Sequence, residues 1–244
     1  MTTTALPWRS AARTETGKVR SKNEDALLAK PEQGLWVVAD GMGGHQNGAL
    51  ASRLIVESLA ELPGEGSLET RLQQLRQCLQ QINLHLGRDL TLCATPRNNN
   101  IIGSTVVALL AEGNRAVCVW AGDSRCYLWR GRRLYQISRD HSFAQHLIDE
   151  LRLTPAEAGR HPSAHALTQA VGASEELTLD VLHLNLHPGD AFLLCSDGLY
   201  RSLSPDALGS ALSQNSPEAA LHSLFEQALS GPARDNLSAV VVRR

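Results

Sequence analysis

No apolar stretch in the chain approaches the ~18 residues that a membrane helix requires. The N-terminal segment Met1-Thr2-Thr3-Thr4-Ala5-Leu6-Pro7-Trp8-Arg9 lacks the apolar core of a signal peptide. At the other end, Arg243-Arg244 follows directly on Ala239-Val240-Val241-Val242, so no C-terminal anchor is expected. Basic excess is also missing: the net charge of −2 argues against a nucleic-acid partner and against a polybasic membrane patch. Cys-x-x-Cys is absent too. The five cysteines (Cys78, Cys93, Cys118, Cys126, Cys195) are odd in number and widely spaced, several of them among apolar neighbours. That is the pattern of buried free thiols in a reducing compartment. The absences together lead us to expect a cytoplasmic protein with neither a nucleic acid nor a membrane as partner.

What is present fits an ordinary globular chain. Its 244 residues are 43% hydrophobic and 20% charged, at the upper end of what one core can serve. With no linker, repeat or low-complexity tract, one domain spanning residues 1–244 is expected. Short β-rich runs fall at Leu35 to Ala39, Thr105 to Leu110, Ala116 to Ala121, Cys126 to Trp129, Leu134 to Ile137, Ala191 to Cys195 and Ala239 to Val242. Gly113-Asn114 and Gly131 stand at hairpin turns between neighbours. Helical periodicity covers Ala49 to Leu62 and Leu68 to Leu92. Two further helices fit Pro205 to Leu212 and Pro217 to Leu229, with Ser204 and Ser216 as N-caps and proline at the first helical position. Hairpin-linked strands interrupted by helix pairs predict an α+β fold, a four-layer α-β-β-α sandwich of two mainly antiparallel sheets flanked by helices. Residues 141–167, rich in proline, histidine and small side chains, read as a flap over the surface.

The chemistry is concentrated at strand ends. Asp40 closes the apolar run Leu35-Trp36-Val37-Val38-Ala39 and opens Gly41-Met42-Gly43-Gly44. A carboxylate delivered into a glycine turn suits either a phosphate loop or a metal site. The dinucleotide fingerprint fails because Gln46 stands where its third glycine belongs, and no Gly-Lys-Ser/Thr follows. Other acidic residues share Asp40's setting: Glu24 and Asp25 before a short apolar run, Asp123 in Gly122-Asp123-Ser124-Arg125, Asp197 in Ser196-Asp197-Gly198, and Asp235 in Asp235-Asn236. Each alone is an ordinary turn residue. Converging on one rim, they would repel: two carboxylates ~4 Å apart do so by about 4 kcal/mol at an effective dielectric of 20. A hard divalent cation relieves that repulsion, and all-oxygen ligation suits Mg²⁺ or Mn²⁺.

Val19-Arg20 through Asn23-Glu24-Asp25, Asp40-Gly41-Met42-Gly43-Gly44, Gly103-Ser104-Thr105, Gly122-Asp123-Ser124-Arg125, Asp140-His141-Ser142, Leu167-Thr168, Ser196-Asp197-Gly198 and Asp235-Asn236 follow one another in this order. The ordered set resembles the metal-dependent, type 2C protein serine/threonine phosphatases, in particular their compact bacterial members, over about residues 13 to 242. The resemblance implies two Mn²⁺ or Mg²⁺ ions between two central sheets, bridged by Asp40. Asp197 and Asp235 would complete one ion; the Gly41 carbonyl and, through water, Glu24 would serve the other. Asp25 would orient a water on the metal, Asp123 with Asp197 would hold a possible third ion, and Arg20 would grip the substrate phosphate. A water activated by two metals would then attack phosphorus, with Asp40 and Arg20 as the catalytic pair.

The implied partners are phosphoproteins and an opposing bacterial Ser/Thr kinase, and one implied setting is the kinase–phosphatase switch of type VI secretion. Met42 stands where eukaryotic relatives often carry a histidine that could protonate the leaving oxygen, which leaves water on the metal or His45 as the acid. His161 and His165 are expected on the flap surface, His141 in a structural turn. Cysteine-based phosphatase chemistry is not expected, no cysteine being read as opening a Cys-x₅-Arg loop. The competing readings are a catalytically weak relative serving as a phosphoprotein-binding regulatory module, and a phosphatase of anti-sigma-factor antagonists. Retention of Asp40, Asp197 and Asp235 argues against the first, and Arg20 against the second.

Overall fold

The structure is a computed structural model and describes residues 8–43, 47–87 and 102–244. Strands β1 (Arg9–Glu15), β2 (Asp25–Lys30) and β3 (Leu35–Met42) lead into helices α1 (Asn47–Ala60) and α2 (Leu68–His85). Strands β4 (Gly103–Ser104), β5 (Val106–Glu112), β6 (Arg115–Ala121), β7 (Arg125–Arg130) and β8 (Arg133–Gln136) follow. Then come α3 (Phe143–Leu151), α4 (Pro155–Ala158), β9 (Asp180–Asn185), β10 (Ala191–Cys195), α5 (Asp197–Ser202), α6 (Pro205–Leu212), α7 (Pro217–Ser230) and β11 (Leu237–Arg243).

The strands form two sheets, ordered β1-β11-β10-β7-β8 and β2-β3-β5-β6-β9, with β4 added beside β3. Every pairing is antiparallel. Strand alternation explains the layers. In β3, Leu35, Val37 and Ala39 pack with α1 and α2, while Trp36 and Val38 face the other sheet. In β10, Leu193 and Cys195 pack with α5 to α7, while Phe192 and Leu194 face inward. Both faces of the central strands are therefore buried, and their sequences read as unbroken apolar runs. The expected α-β-β-α sandwich is what forms.

Ser204 and Ser216 cap α6 and α7 as expected, accepting hydrogen bonds from the Ala207 and Ala219 amides. Each cap satisfies one of the amides a helix start leaves orphaned, worth about 1 kcal/mol. The helix expected to reach Leu92 is described as far as His85, and residues 88–92 lie outside the described segments, as do Cys93, His45 and Gly44. Residues 141–167 contain two helices, α3 and α4, that sequence patterning did not indicate. Their ends are tied together where the Phe143 amide donates to the Ala166 carbonyl and the Thr168 amide to the His141 carbonyl.

Candidate metal centre

Strand parity places the carboxylates. Asp40 lies two residues beyond Val38, so it shares the face that looks toward the second sheet, at the open end of the sandwich. Asp25 is its direct cross-strand partner in β2. Like charges set opposite each other destabilise a sheet, so this pairing calls for compensation. Part of it crosses between sheets: Ser196, one residue past β10, donates from Oγ to Asp25 Oδ2 at 2.7 Å and accepts from the Ser238 amide at 3.0 Å. The other oxygen, Asp25 Oδ1, is buried with no partner.

Asp40 is held by its backbone. Its amide donates to Thr105 Oγ1, and its carbonyl accepts from the Thr105 amide and from Ser104 Oγ. The Gly41 amide donates to the Glu24 carbonyl. A Cβ on Gly41 would stand 2.1 Å from the Gly48 carbonyl oxygen, so this glycine is needed to seat the start of α1 against the loop, whatever else its carbonyl does. Gly198 plays the same part on the other sheet, where a Cβ would come within 2.1 Å of the Asn236 carbonyl oxygen. That close approach brings the Asp197 and Asp235 loops together. Asn236 then ties in the Glu24 loop: its Oδ1 accepts from the Glu24 amide, and its Nδ2 donates to the Thr16 and Lys22 carbonyls.

These loops enclose a cleft of ≈ 530 Å³ lined by Arg20, Glu24, Asp40, Gly41, Asp123, Asp197 and Asp235. Met42 lines it too, beside His165 and Leu167 from the flap region. Every site residue expected from sequence thus reaches the cleft or, for Asp25, stands directly behind it. His165 comes closer to the site than a flap-surface residue was expected to, although its side chain is exposed. His141 is structural, as expected: Nδ1 accepts from the Gly122 amide, Nε2 sits 3.3 Å from Asp180, and the ring stacks on Trp120.

Burial and mutual repulsion govern the charges. Burial first, then the charges of Asp25, Asp197, Asp123 and Asp235, push Asp40 well above the usual carboxylate range. Burial raises Asp25 to about 6, against the hydrogen bonds from Ser238 and Ser196. Burial and then Asp197 raise Asp123 to about 7, with Arg201 opposing. Two arginines lie on these carboxylates. Arg20 Nη2 donates to Asp235 Oδ2 at 2.8 Å, while Arg201 reaches Asp197 Oδ2 and Asp123 Oδ2, both at 3.1 Å. Among the described residues no three His, Cys, Asp or Glu side chains stand as a ready-made ion cluster. Around Asp40 the residues nevertheless fit a hard divalent ion. The donors are all oxygen, the charges that shift Asp40 most after burial are four repelling carboxylates, and the orphaned Asp25 Oδ1 suits a water held by such an ion. At Asp123 the guanidinium of Arg201 already stands on the carboxylate. Sequence reading missed Arg201, which reaches the cleft only because α5 sets it one turn from Asp197.

A pH dependence follows. Carboxyls whose folded values exceed the ordinary 3.8 hold protons that the unfolded chain has released. Their contribution to stability is complete below about pH 4 and is lost as pH rises through 6 and 7. Chelator-treated protein should therefore show a Tm falling between those limits, and Mn²⁺ should raise Tm most at the upper end. Calorimetric melts with and without Mn²⁺ measure both, and a flat or rising metal-free Tm would contradict the charge assignment.

One expectation about cysteine needs correction. Two cysteines do have an arginine six residues on, Cys126 with Arg132 and Cys195 with Arg201. Neither spacing carries a phosphate loop. Cys126 is fully buried in β7, burial and Cys118 hold its thiol well above its ordinary value, and Arg132 sits in the turn before β8. Cys195 is fully buried in β10, burial raises its thiol as well, and Arg201 lies on Asp123 and Asp197. A nucleophilic cysteine needs the opposite environment.

The family profile described as protein phosphatase 2C matches residues 15–239. The serine/threonine protein phosphatase PstP of Mycobacterium tuberculosis is 37% identical over 242 residues, covering 99% of this chain but 46% of PstP. The chain thus spans less than half the length of that relative. Among solved structures, PppA, described as a key regulatory component of the T6SS in Pseudomonas aeruginosa, is 45% identical with a TM-score of 0.88, covering 97% of both chains. The catalytic domain of PstP in complex with two manganese ions is 36% identical with a TM-score of 0.82, covering 96% of this chain and 97% of that one. The chain belongs to the protein phosphatase 2C family.

Proposed function

We propose that this chain is a metal-dependent protein serine/threonine phosphatase that hydrolyses phosphoserine and phosphothreonine in proteins. The observation that carries the reading is the convergence of Asp40, Asp197, Asp235 and Glu24 with Arg20 on one cleft. Two Mn²⁺ or Mg²⁺ ions would be held by Asp40, Asp197 and Asp235 together with the Gly41 carbonyl and, through water, Glu24. When bound, such ions lower the pKa of water toward neutrality and draw charge off phosphoryl oxygens. Support for the ion type comes from the PstP domain, which carries two manganese ions.

The chain's own residues supply the rest. Asp25 Oδ1, buried and unpartnered beside Asp40, would accept a hydrogen bond from a water held by such an ion and orient it. Arg20, exposed and held by a single hydrogen bond, exchanges Asp235 for the substrate phosphate, to which its planar fork is matched. Met42 offers no proton to the departing Ser or Thr oxygen, which leaves water or His45 to supply it. The alternative of a regulatory module without activity is weakened by the presence of all three aspartates expected on the ions.

Phosphoproteins are the partners proposed, with a Ser/Thr kinase supplying the phosphate that this chain removes. The 45% identity to PppA supports a setting in type VI secretion. Four described cysteines are free thiols, three of them buried, and no described helix is long and apolar enough to cross a membrane, which supports the cytoplasm as location. Residues 1–244 are proposed to act as one catalytic domain, with 141–167 as a flap that tunes substrate choice beside the cleft. Phosphate release from a phosphothreonine peptide and its phosphotyrosine counterpart in Mn²⁺ tests the substrate class. The phosphothreonine peptide should be the better substrate, and a preference for phosphotyrosine would refute the assignment.

A further inference from the structure

The two arginines on the cleft wall hold their carboxylates differently. Arg20 makes one hydrogen bond, to Asp235, with the two side chains 54% and 38% exposed. Arg201 forks across two residues, Nη1 to Asp197 and Nη2 to Asp123, and its partners are only 17% and 7% exposed. Its tether is short: Asp197 and Arg201 are one helical turn apart on α5, the i,i+4 spacing that sets side chains face to face. The helix itself is fixed. Gly198 presses on Asn236, and Tyr200, on the same short helix, lies under Arg125, whose Cζ is 3.7 Å from the ring centre. Arg125 is locked in turn by a two-pronged pair with Asp140 at 2.8 and 2.7 Å.

We propose that Arg201 is the resident cation of the Asp123–Asp197 end of the cleft, so that this chain assembles a two-ion centre with no third ion at Asp123. The inference rests on the two-ion reading above. A guanidinium between two carboxylates removes their repulsion, which is the service a third ion would perform there. Unlike lysine or histidine, arginine cannot yield by losing its proton. A dication entering at Asp123 would have to displace the fork and then lie beside the expelled charge. No guanidinium is bonded to Asp40: the carboxylates of Asp25, Asp197, Asp123 and Asp235 repel it, and the one arginine that feels its charge, Arg20, is bonded to Asp235. The demand for divalent ions therefore persists at Asp40 and is already met at Asp123. Arg201 engages only Oδ2 of Asp197, whose carboxyl is also within hydrogen-bonding reach of Asp40, so its other oxygen serves the ion there.

The test is a count of bound Mn²⁺ at saturation, by equilibrium dialysis with free Mn²⁺ read by electron paramagnetic resonance. The unaltered chain should hold two ions, and Asp123→Asn, which preserves shape, should hold the same number. Arg201→Ala should gain one further ion, and that gain should vanish in the double variant with Asp123→Asn. Three ions in the unaltered chain, one of them lost in Asp123→Asn, would overturn the inference and leave the two-ion centre standing. An unchanged count in folded Arg201→Ala would overturn it as well. No bound ion in the unaltered chain would overturn the two-ion reading itself. Should Arg201→Ala fail to fold, the comparison of the unaltered chain with Asp123→Asn still decides the matter.

Discussion

Asp40→Asn should abolish metal-dependent phosphate release while leaving the fold intact. The substitution preserves the shape of the side chain, and the backbone bonds to Thr105 and Ser104 that position it do not involve the carboxylate. It removes one negative charge from a site where Asp40 is repelled by four other carboxylates. Two opposite results must therefore appear in one variant. Stability of the metal-free protein should rise, because a buried repulsive charge is gone. Catalysis should fall by more than about 100-fold, since even outer partners of metal ligands are worth about 10- to 100-fold and Asp40 is a proposed ion ligand. Thermal melts in chelator and initial rates in Mn²⁺ read the two effects separately. A variant that lost both stability and activity would point to a structural role for the carboxylate and away from ion binding.

Arg20→Ala should separate substrate binding from ion binding. In the structure the Arg20 guanidinium lies on Asp235, so its removal frees an ion ligand at the same time as it deletes a phosphate contact. Mn²⁺ affinity should hold or improve. KM for a phosphopeptide should rise, with kcat/KM falling roughly 10- to 150-fold, the equivalent of one charge-assisted hydrogen bond of about 1.5–3 kcal/mol. Had Arg20 only a structural role on Asp235, its loss would weaken Mn²⁺ binding and leave KM alone. The sign of the change in metal affinity therefore discriminates between them, and the split between KM and kcat shows whether phosphate is gripped equally before and during reaction.

The sandwich was legible wherever a strand is buried on both faces. Leu35 to Ala39, Ala191 to Cys195 and Ala239 to Val242 are such runs, and all three became the central strands β3, β10 and β11. The missed strands β1 and β9 are sheet edges. Arg9–Glu15 and Asp180–Asn185 alternate partly buried and exposed residues, and each has one neighbour, so its pairing depends on a distant partner rather than on its own pattern. Helices α3 to α5 escaped notice for a related reason. At 9, 4 and 6 residues they are too short for periodicity to register, and they are stabilised by tertiary contacts and caps such as Thr154 with Glu157.

At the site, the carboxylates were legible because several stood at ends of apolar runs, where strand geometry delivers them to a rim. Their supports were not. Ser196 and Ser238 are ordinary serines in sequence, yet 42 residues apart they join to hold Asp25 across two sheets. Arg201 looks like an exposed charge after Tyr200 until α5 forms and aims it at two aspartates. The glycine of Asp40-Gly41 was read as leaving space for a ligand. The structure adds a second demand, since the Gly48 carbonyl occupies the place of its Cβ.

The decisive measurement is phosphate release from a phosphothreonine peptide across a Mn²⁺ titration, begun from chelator-stripped protein and ended by adding excess chelator. Activity should be absent at the start, appear with Mn²⁺, and vanish again with chelator while circular dichroism shows the fold unchanged. Full activity in the stripped protein would contradict the metal centre and, with it, ion ligation by Asp40, Asp197 and Asp235.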